Sequence, residues 1–262
     1  MRKLLVVLCA SALVIAAAPA ASAGGKGPLQ VATSLPAPGF WNGDTPDSID
    51  GGFEWALAGE IAEALGYDGF ELSNVGFGGL VTGRNKNFDL ALTQSSITKE
   101  RQKVVDFSVP YFISDNGIMV NEGTEVPDLA TAQGLTWGVQ TGSTHVKFLK
   151  KVVQTDEAPR QFAETTEMFA ALQAGQIDAA MTDTSILLAQ AGQPGSGFEV
   201  VGQFAATEGF YGAIFPKGSK LRKKVDAVIE ELEADGTLEA LVQEWLVPEF
   251  GADPSQVPYI DV

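Results

Sequence analysis

The sequence predicts an α/β protein built from two similar lobes that share one crevice. Segments with the period-2 alternation of strands are followed repeatedly by segments with the 3.6-residue spacing of amphipathic helices. The stretches 89–97 and 178–186 match at five of nine positions, about 90 residues apart, and each runs from a strand through a polar turn into a helix. This spacing indicates two related lobes rather than a solenoid repeat. The polar ends of the two strands are therefore expected to face a common crevice.

The first segments of the mature chain alternate between strand and helix patterns. Leu29–Thr33 is a predicted strand, and the Pro- and Gly-rich loop 34–42 after it excludes regular structure. A helix is expected from about residue 54 to residue 65, with Gly66 as its stop. A second strand over residues 70–75 leads into a short helix that ends near Lys86.

The stretch from Phe88 to Phe112 carries the strongest chemical signal. It begins as a short buried strand and continues as a run of polar side chains, Thr93, Gln94, Ser95 and Ser96. Thr98 then offers an N-cap to a predicted helix that contains Arg101. Hydroxyls, backbone N–H groups and a guanidinium at the carboxyl end of a strand suit an anion, above all a carboxylate. The plainer alternative is a polar turn with a capping Thr and a solvated Arg.

The second half of the chain repeats this order of strand, polar turn and helix. A strand over residues 135–140 ends in Thr141–His145, whose hydroxyls and N–H groups suit a second anion contact. Another strand, over residues 177–182, ends at Asp183, which either caps the next helix or binds a cation. Further elements are expected over residues 117–121, 145–153, 165–174, 198–202, 209–215, 219–234 and 237–245.

Residues 1–23 have the composition of a secretory signal peptide. Arg2 and Lys3 precede an apolar run over residues 4–18, and the small residues 21–23 form a cleavage site. The run is too short and too rich in Ala to favour a membrane-spanning helix. We therefore expect an exported protein, either periplasmic or secreted.

Charge and cysteine content exclude several classes of protein. Without the first 23 residues the chain has 15 basic and 33 acidic residues, a net charge near −18, so nucleic acid and anionic membranes are poor partners. Cys9, the only Cys in the sequence, follows Leu8 inside the apolar run, whereas a lipid-anchor site needs a small residue before its Cys. We expect no lipid anchor, no disulfide, no metal site and no cofactor.

Two motifs in the central stretch resemble one family. Ser-Ile-Thr-x-x-Arg at residues 96–101 and Val-Asp-Phe-Ser-x-Pro-Tyr at residues 105–111 are together typical of the amino-acid-binding proteins of ABC importers, solute-binding protein family 3. The ending Asp-Gly-Thr-Leu-x-x-Leu-x-x-x-Trp at residues 235–245 is similar to the family as well. The resemblance implies the two-lobed periplasmic-binding-protein fold (type II), with a ligand cleft between lobes that are joined by two crossover strands.

The resemblance also implies how the chain is divided. Residues 24–115 and 207–262 would form a discontinuous lobe one, and residues 116–206 an inserted lobe two. The crossovers would lie near residues 113–117 and 206–212. A free amino acid would favour the closed form of the cleft, and the permease of an ABC transporter would recognise that form. We expect the binding protein itself to be a monomer.

Each candidate residue receives a role from the resemblance. Arg101 would bind the α-carboxylate of the ligand, with the hydroxyls of Ser96 and Thr144 assisting from the two lobes. Asp183 would bind the α-ammonium group. Phe77 would form one wall of the cleft, and an aromatic residue of the loop after strand one would cover the ligand. That covering residue is either Phe40 or Trp41, and for all three aromatic residues the alternative is packing in the core.

The side chain of the ligand is predicted from Ser34, Gln94 and His145. None of these three residues carries a charge that would select an acidic or a basic ligand, which favours a neutral polar amino acid such as glutamine. Thr93 lies beside them at the strand end. His145 could instead be an ordinary surface residue, and Arg84 or Lys147 would change the prediction if either pointed inward.

An exported small-molecule lyase or dehydratase on the same fold is the alternative function. An enzyme needs a general acid or base aimed at its substrate, and only Asp183 and His145 are candidates, each with a binding role available. The sequence has no nucleophile elbow and no phosphate-binding loop. A sensory or adhesive domain is also disfavoured, because no further span or domain follows. We therefore expect a binding protein and not an enzyme.

Overall fold

The computed structural model describes residues 26–206, 209–251 and 254–262. The predicted signal peptide, residues 1–23, lies outside the described residues. Thr207 and Glu208, within the second predicted crossover, also lie outside them. In the described ranges, no helix has the length and apolar character needed to cross a membrane.

Strands and helices alternate along most of the chain. The strands are β1 (Leu29–Thr33), β2 (Phe70–Asn74), β3 (Leu90–Ala91), β4 (Val105–Phe107), β5 (Phe112–Ile113), β6 (Asn116–Asn121), β7 (Trp137–Gln140), β8 (Arg160–Phe162), β9 (Ala179–Asp183), β10 (Phe198–Phe204), β11 (Phe210–Tyr211) and β12 (Ile214–Pro216). The α-helices are α1 (Phe53–Ala64), α2 (Phe77–Val81), α3 (Leu129–Gly134), α4 (His145–Phe148), α5 (Thr165–Gln173), α6 (Thr184–Ala191), α7 (Arg222–Ala234), α8 (Thr237–Leu241) and α9 (Val247–Phe250). Short 3-10 and π-helical turns cover Pro46–Ser48, Arg101–Lys103, Leu149–Val153, Val242–Leu246 and Pro254–Gln256.

Two five-stranded sheets form the two lobes. The first has the order β2-β1-β3-β12-β4, with β1 parallel to β2 and β3 and with β12 antiparallel to β3 and β4. The second has the order β10-β6-β9-β7-β8, with β7 parallel to β8 and β9. The sequence prediction of a two-lobed α/β fold is confirmed. In both sheets the carboxyl ends of the parallel strands open onto the space between the lobes.

A short antiparallel ladder lies where the chain passes between the lobes. In it β5 pairs with β11, Phe112 opposite Tyr211 and Ile113 opposite Phe210. Both strands fall at or next to the predicted crossovers. The predicted division into residues 24–115 with 207–262, and 116–206, stays a prediction.

The C-terminal segment, residues 254–262, runs along strand β10 of the second sheet. The backbone N–H of Gln203 donates to the carbonyl of Pro258 at 2.8 Å, and the Tyr259 hydroxyl donates to Asp115 Oδ2 at 2.5 Å. The sequence assigned this segment to lobe one, but its hydrogen bonds join it to the other sheet. Because β10 is an edge strand, it has backbone groups available for such pairing.

The first lobe is stabilised by helix α1 packed against aromatic side chains. Phe53, Leu57 and Ile61 recur at helical spacing and are fully buried. The ring of Phe53 lies 6.1 Å from that of Phe40 and 5.6 Å from that of Phe112. Burying a side chain of this size stabilises a fold by roughly 1.5–3 kcal/mol, so this face holds the lobe together rather than binding a ligand.

Two predicted helices are shorter than the sequence pattern suggested. The helix expected to reach Lys86 ends at Val81, and Gly83 follows in the left-handed region at φ +66°. A side chain at Gly83 would meet the carbonyl oxygen of Val104 at 2.9 Å, so the chain must turn there with a glycine. The helix expected after Thr98 is a single 3-10 turn, Arg101–Lys103.

Candidate functional site

A cleft between the two sheets collects most of the predicted site residues. About 570 Å³ of space free of protein atoms lies in it, a volume that includes open solvent. The first lobe contributes Ser34, Leu35, Pro36, Ala37, Phe77, Thr93, Gln94, Ser96 and Arg101. The second lobe contributes Gln140, Ser143, Thr144, His145, Glu164, Thr165, Thr182, Asp183 and Ile186. These residues lie at or just after the carboxyl ends of strands, as the fold class predicts.

Arg101 is held in position by the polar turn that precedes it. Its backbone N–H donates to Thr98 Oγ1 at 3.1 Å, so Thr98 orders the turn as predicted, although the turn is 3-10. Its Nη1 donates to Ser95 Oγ at 3.2 Å and to the carbonyl of Ser96 at 2.7 Å. The ring centroid of Phe77 lies 5.3 Å from Arg101 Cζ, within cation–π range. A buried guanidinium fixed in this way is ready to bind a planar anion.

The turn after β7 faces Arg101 from the other lobe. The carbonyl of Gly142 accepts a hydrogen bond from Arg101 Nη2 at 3.1 Å. Gly142 has φ +82°, a conformation that glycine adopts without strain. Among the described residues, Ser143 Oγ and both ring nitrogens of His145 are buried without a hydrogen-bond partner. Buried polar atoms are nearly always paired in folded proteins, so these three atoms indicate a ligand that pairs with them.

His145 is neutral in this environment. Burial, helped by the nearby Arg101 cation, lowers the pKa of its imidazole to about 3. Its Nε2 lies 3.8 Å from Asp183 Oδ1, beyond hydrogen-bond distance. A neutral imidazole has one donor and one acceptor nitrogen to offer a ligand. The alternative of a surface histidine is wrong, because the side chain is buried and lines the cleft.

Asp183 brings a carboxyl group into the cleft from the end of β9. Burial raises the pKa of this carboxyl to about 7, although the Tyr211 hydroxyl and the Arg101 cation both favour the charged form. The group is therefore poised between its neutral and charged states near neutral pH. A cation bound beside it would shift that balance to the carboxylate.

Glu54 is a second buried carboxyl group, inside the first lobe. Its Oε1 accepts hydrogen bonds from the backbone N–H of Gln94 at 2.9 Å and from the Tyr111 hydroxyl at 2.5 Å. Its Oε2 accepts from Trp41 Nε1 at 2.8 Å and from the side-chain amide of Gln94. Burial still raises the pKa of Glu54 to about 7. The network fixes Gln94 in the left-handed region, at φ +47°.

The described residues include no cluster of three or more His, Cys, Asp and Glu side chains suited to a metal ion. The polar groups of the cleft include the Arg101 guanidinium, the carboxyl groups of Asp183 and Glu164, several hydroxyls and the His145 imidazole. This set suits a small ligand that carries charges of both signs.

Residues 29–248 match the family model of the bacterial extracellular solute-binding proteins, family 3. This chain belongs to that family. Its relatives place it among the members that bind amino acids for ABC transporters. The structural neighbours are binding proteins of the two-lobed, type II fold, as the sequence predicted.

Three relatives show how this family 3 protein compares with characterised ones. The L-cystine-binding protein TcyJ of Escherichia coli (strain K12) is 31% identical over 206 residues, which is 77% of this chain and 75% of that protein. A solved structure of an ancestral arginine-binding protein bound to arginine has a TM-score of 0.70 and 33% identity, and covers 84% of this chain and 98% of that one. A solved structure of an ancestral arginine-binding protein bound to glutamine has a TM-score of 0.70 and 34% identity, and covers 84% of this chain and 98% of that one.

Three predicted site residues of this family 3 protein have other roles. Phe40 and Trp41 are fully buried and do not line the cleft, so neither covers a ligand there. Phe40 packs in the aromatic core of lobe one, and Trp41 donates to Glu54. Leu35, Pro36 and Ala37 line the cleft in their place. Gln94 lines the cleft, but its side-chain amide donates to Glu54 and is turned away from a ligand.

The other predicted residues do lie at the cleft. Ser96, Thr144, Phe77 and Thr93 all line it, together with Arg101, His145, Asp183 and Ser34. The contact of Ser96 with Arg101 uses its carbonyl oxygen, and the hydroxyl that binds the guanidinium is that of Ser95. Thr93 Oγ1 accepts from the backbone N–H of Ser34 at 3.2 Å, which orders the end of β1.

Sequence reasoning missed Glu164. This residue directly precedes helix α5 and is its N-cap residue in the structure. It is half-buried and lines the cleft. Its place at the cleft depends on the order of strands β7 and β8 in the sheet, which the sequence pattern did not show.

Proposed function

We propose that this protein captures a free amino acid between its lobes and delivers it to the permease of an ABC transporter. The observation that carries the proposal is the pairing of opposite charges from opposite lobes, Arg101 from the first and Asp183 from the second, at one cleft. An α-amino acid presents a carboxylate and an ammonium group a few ångströms apart. Such a ligand would satisfy both side chains at once.

The carboxylate of the ligand would bind at Arg101. The guanidinium is already oriented by Ser95 and Ser96, so little conformational entropy would be lost on binding. The hydroxyls of Ser143 and Thr144 lie on the opposite lobe and would donate to the same carboxylate. The unpaired, buried Ser143 Oγ supports this role.

The ammonium group would bind at Asp183. A buried carboxyl group whose pKa is raised to about 7 gains a full charge when a cation is placed beside it. His145 lies 3.8 Å from the same carboxyl and can accept a further hydrogen bond from the ligand through its unprotonated nitrogen.

The identity of the side chain is a finer question. The sequence predicts a neutral polar amino acid such as glutamine, and this stays a prediction. It was based on Ser34, Gln94 and His145, whereas Gln94 turns toward Glu54 and Glu164 was not counted. The relatives include cystine-, arginine- and glutamine-binding proteins, so the family relationship supports an amino acid as ligand but does not select one.

Closure of the two lobes would carry the signal to the transporter. The hydrogen bond from Arg101 to Gly142 already joins the lobes, and a ligand held by both would favour the closed form further. We infer that the permease recognises this closed form and that the binding protein acts as an exported monomer, in the periplasm or outside the cell.

Thermal unfolding of residues 24–262 against the twenty amino acids and L-cystine, followed by calorimetry on each hit, tests the proposal. A ligand present at about 100 times its dissociation constant should stabilise the fold by roughly 2.7 kcal/mol. Recovery of the ligand unchanged would support a binding protein. The relatives named above are binding proteins and not lyases or dehydratases, and consumption of the ligand would contradict the proposal. Absence of any shift would overturn it as well.

A further inference from the structure

The carboxylate of Glu164 lies between the ends of two strands of the opposite lobe. Its Oε2 is 3.5 Å from Ser34 Oγ, just after β1. Its Oε1 is 3.2 Å from the position that a Cβ atom would take at Gly76, just before Phe77 and after β2. Glu164 therefore reaches across the cleft at the β1–β2 side, whereas Arg101 is held by the turn that follows β3.

Strand order separates this carboxylate from the groups that would bind the α-carbon substituents. In the second sheet Asp183 ends β9, Gly142–His145 follow β7, and Glu164 follows β8, with β7 between the other two strands. Neighbouring strands lie about 4.8 Å apart. The backbones of Asp183 and Glu164, two strands apart, are therefore separated by roughly 10 Å across the sheet. That distance matches the length of an amino acid with a long side chain that starts at Asp183 and ends at Glu164.

Glu164 has no cationic partner among the described residues. No Lys, Arg or His side chain in that part of the chain lies within 4.0 Å of the Glu164 carboxylate. Burial and the neighbouring Glu167 both raise the pKa of its carboxyl. Half-buried carboxylates are normally paired with a cation or several donors, and Ser34 is a single, distant donor.

Glu164 is the N-cap residue of helix α5 and is placed as a capping box with Glu167, but its own carboxylate makes no capping hydrogen bond within normal distance. The acid that accepts backbone hydrogen bonds there is Glu167, from Ala163 at 3.1 Å and from Glu164 at 3.4 Å. The chain thus contains two acids at one helix start. Glu167 accepts the capping hydrogen bonds, whereas Glu164 lines the cleft, as Phe77 does.

We propose that Glu164 selects an amino acid whose side chain ends in a positively charged nitrogen group, such as the guanidinium of arginine or the ammonium of lysine. The carboxylate pairs with that group, and the Phe77 ring, next to Gly76, provides an apolar wall that also favours a cation. His145, the first residue of helix α4, follows β7, the strand that lies between β9 and β8. Its two buried nitrogens have no hydrogen-bond partner, and they accept or donate along the same side chain. This inference rests on the proposed amino-acid site.

Calorimetric titration of residues 24–262 with L-arginine and L-citrulline tests the inference, because citrulline has the length and shape of arginine without its charge. L-lysine and L-glutamine provide a second pair. The wild type should bind arginine or lysine about 10- to 100-fold more tightly than its neutral counterpart, the range expected when a hydrogen bond to a charged group is lost. Glu164→Gln should remove most of that preference and leave the affinity for the neutral amino acid within about threefold.

Glu167→Gln is the matched control, since it removes an acid three residues away that caps the helix and does not line the cleft. It should keep the preference for arginine. The inference is overturned if the wild type binds a neutral amino acid as tightly as a cationic one, or if Glu164→Gln leaves the ratio of arginine to citrulline unchanged. In both of those outcomes the amino-acid site itself stands. Absence of binding by every amino acid would instead remove the proposed function, and this inference with it.

Discussion

Arg101 and Gly142 are joined by a 3.1 Å hydrogen bond from the guanidinium Nη2 of one lobe to the backbone carbonyl of the other. Arg101 is the charged residue that the first lobe contributes to the cleft. Gly142 lies in the turn after β7 and precedes Ser143 and His145 of the second lobe, whose buried side-chain atoms have no hydrogen-bond partner. A ligand carboxylate bound by Arg101 would therefore lie beside that turn. Ligand binding and lobe closure would depend on the same few atoms.

Replacing Arg101 with Ala should abolish amino-acid binding, with a loss of more than about 100-fold. The α-carboxylate would lose its charged partner in a closed cleft, and leaving one member of a buried pair unmatched costs roughly 3–5 kcal/mol. Calorimetry measures the affinity, and circular dichroism verifies that the fold is retained. Lys103→Ala, which removes an exposed cation two residues away, should bind normally. Retention of micromolar affinity in Arg101→Ala would disprove the assignment.

Ligand affinity should fall as the pH is lowered from 8 to 5. The Asp183 carboxyl has a pKa of about 7, so below that pH it holds a proton that must leave before it can pair with an ammonium group. The loss should reach at most about tenfold per pH unit. His145, with a pKa of about 3, stays neutral throughout this range.

Calorimetry in two buffers of different ionisation enthalpy at pH 6.5 measures this proton release directly. Asp183→Asn should bind more weakly and lose most of the release. Glu54→Gln, which removes another carboxyl with a pKa of about 7 that does not line the cleft, should keep it. Equal proton release in wild type and Asp183→Asn would show that Asp183 is not the titrating group.

Tyr111→Phe should destabilise the fold more at pH 8 than at pH 5. The Tyr111 hydroxyl donates to Glu54, whose pKa is raised to about 7, so the lost bond is to a charged group at pH 8 and to a largely neutral one at pH 5. The expected loss at pH 8 is about 1.5–3 kcal/mol. Glu54 stabilises the folded state most below its ordinary pKa of 4.5, and that contribution is lost as the pH rises through about 7.

Urea unfolding at the two pH values measures the difference. Tyr67→Phe is the control, because Tyr67 is only half-buried; its loss should stay within about 0.5 kcal/mol. If Tyr111→Phe loses the same unfolding free energy at pH 5 and at pH 8, Glu54 is not charged at the higher pH.

Gly142→Ala should lower the ligand affinity as well as the stability of the fold. Both Gly142 (φ +82°) and Gly175 (φ +65°) lie in the left-handed region, and neither has a neighbour closer than 3.8 Å to an added Cβ. Alanine should therefore cost about 1 kcal/mol of stability at each position. Only Gly142 accepts from Arg101, so only its variant should lose affinity, by about tenfold. Equal affinities of the Gly142→Ala and Gly175→Ala variants would refute this role of the turn.

The sequence by itself determined the features that depend on local pattern. The strands β1, β2 and β9 and the helix α1 follow from periodicity, because a buried face must repeat with the period of its own element. The motif around Arg101 and the related segment that ends at Asp183 indicated two lobes with polar strand ends at one crevice. The structure brings both residues to that cleft.

Only the tertiary structure decided which nearby side chains face the cleft. Phe40 and Trp41 adjoin a ligand site in sequence, but they pack with Phe53 and Glu54 because burying large rings stabilises the lobe. Gln94 turns inward because a buried carboxyl group needs its donors. Glu164 enters the cleft because β8 lies next to β7 and its carboxylate approaches Ser34 of the other lobe. This relationship joins residues about 130 positions apart, and no local pattern records it.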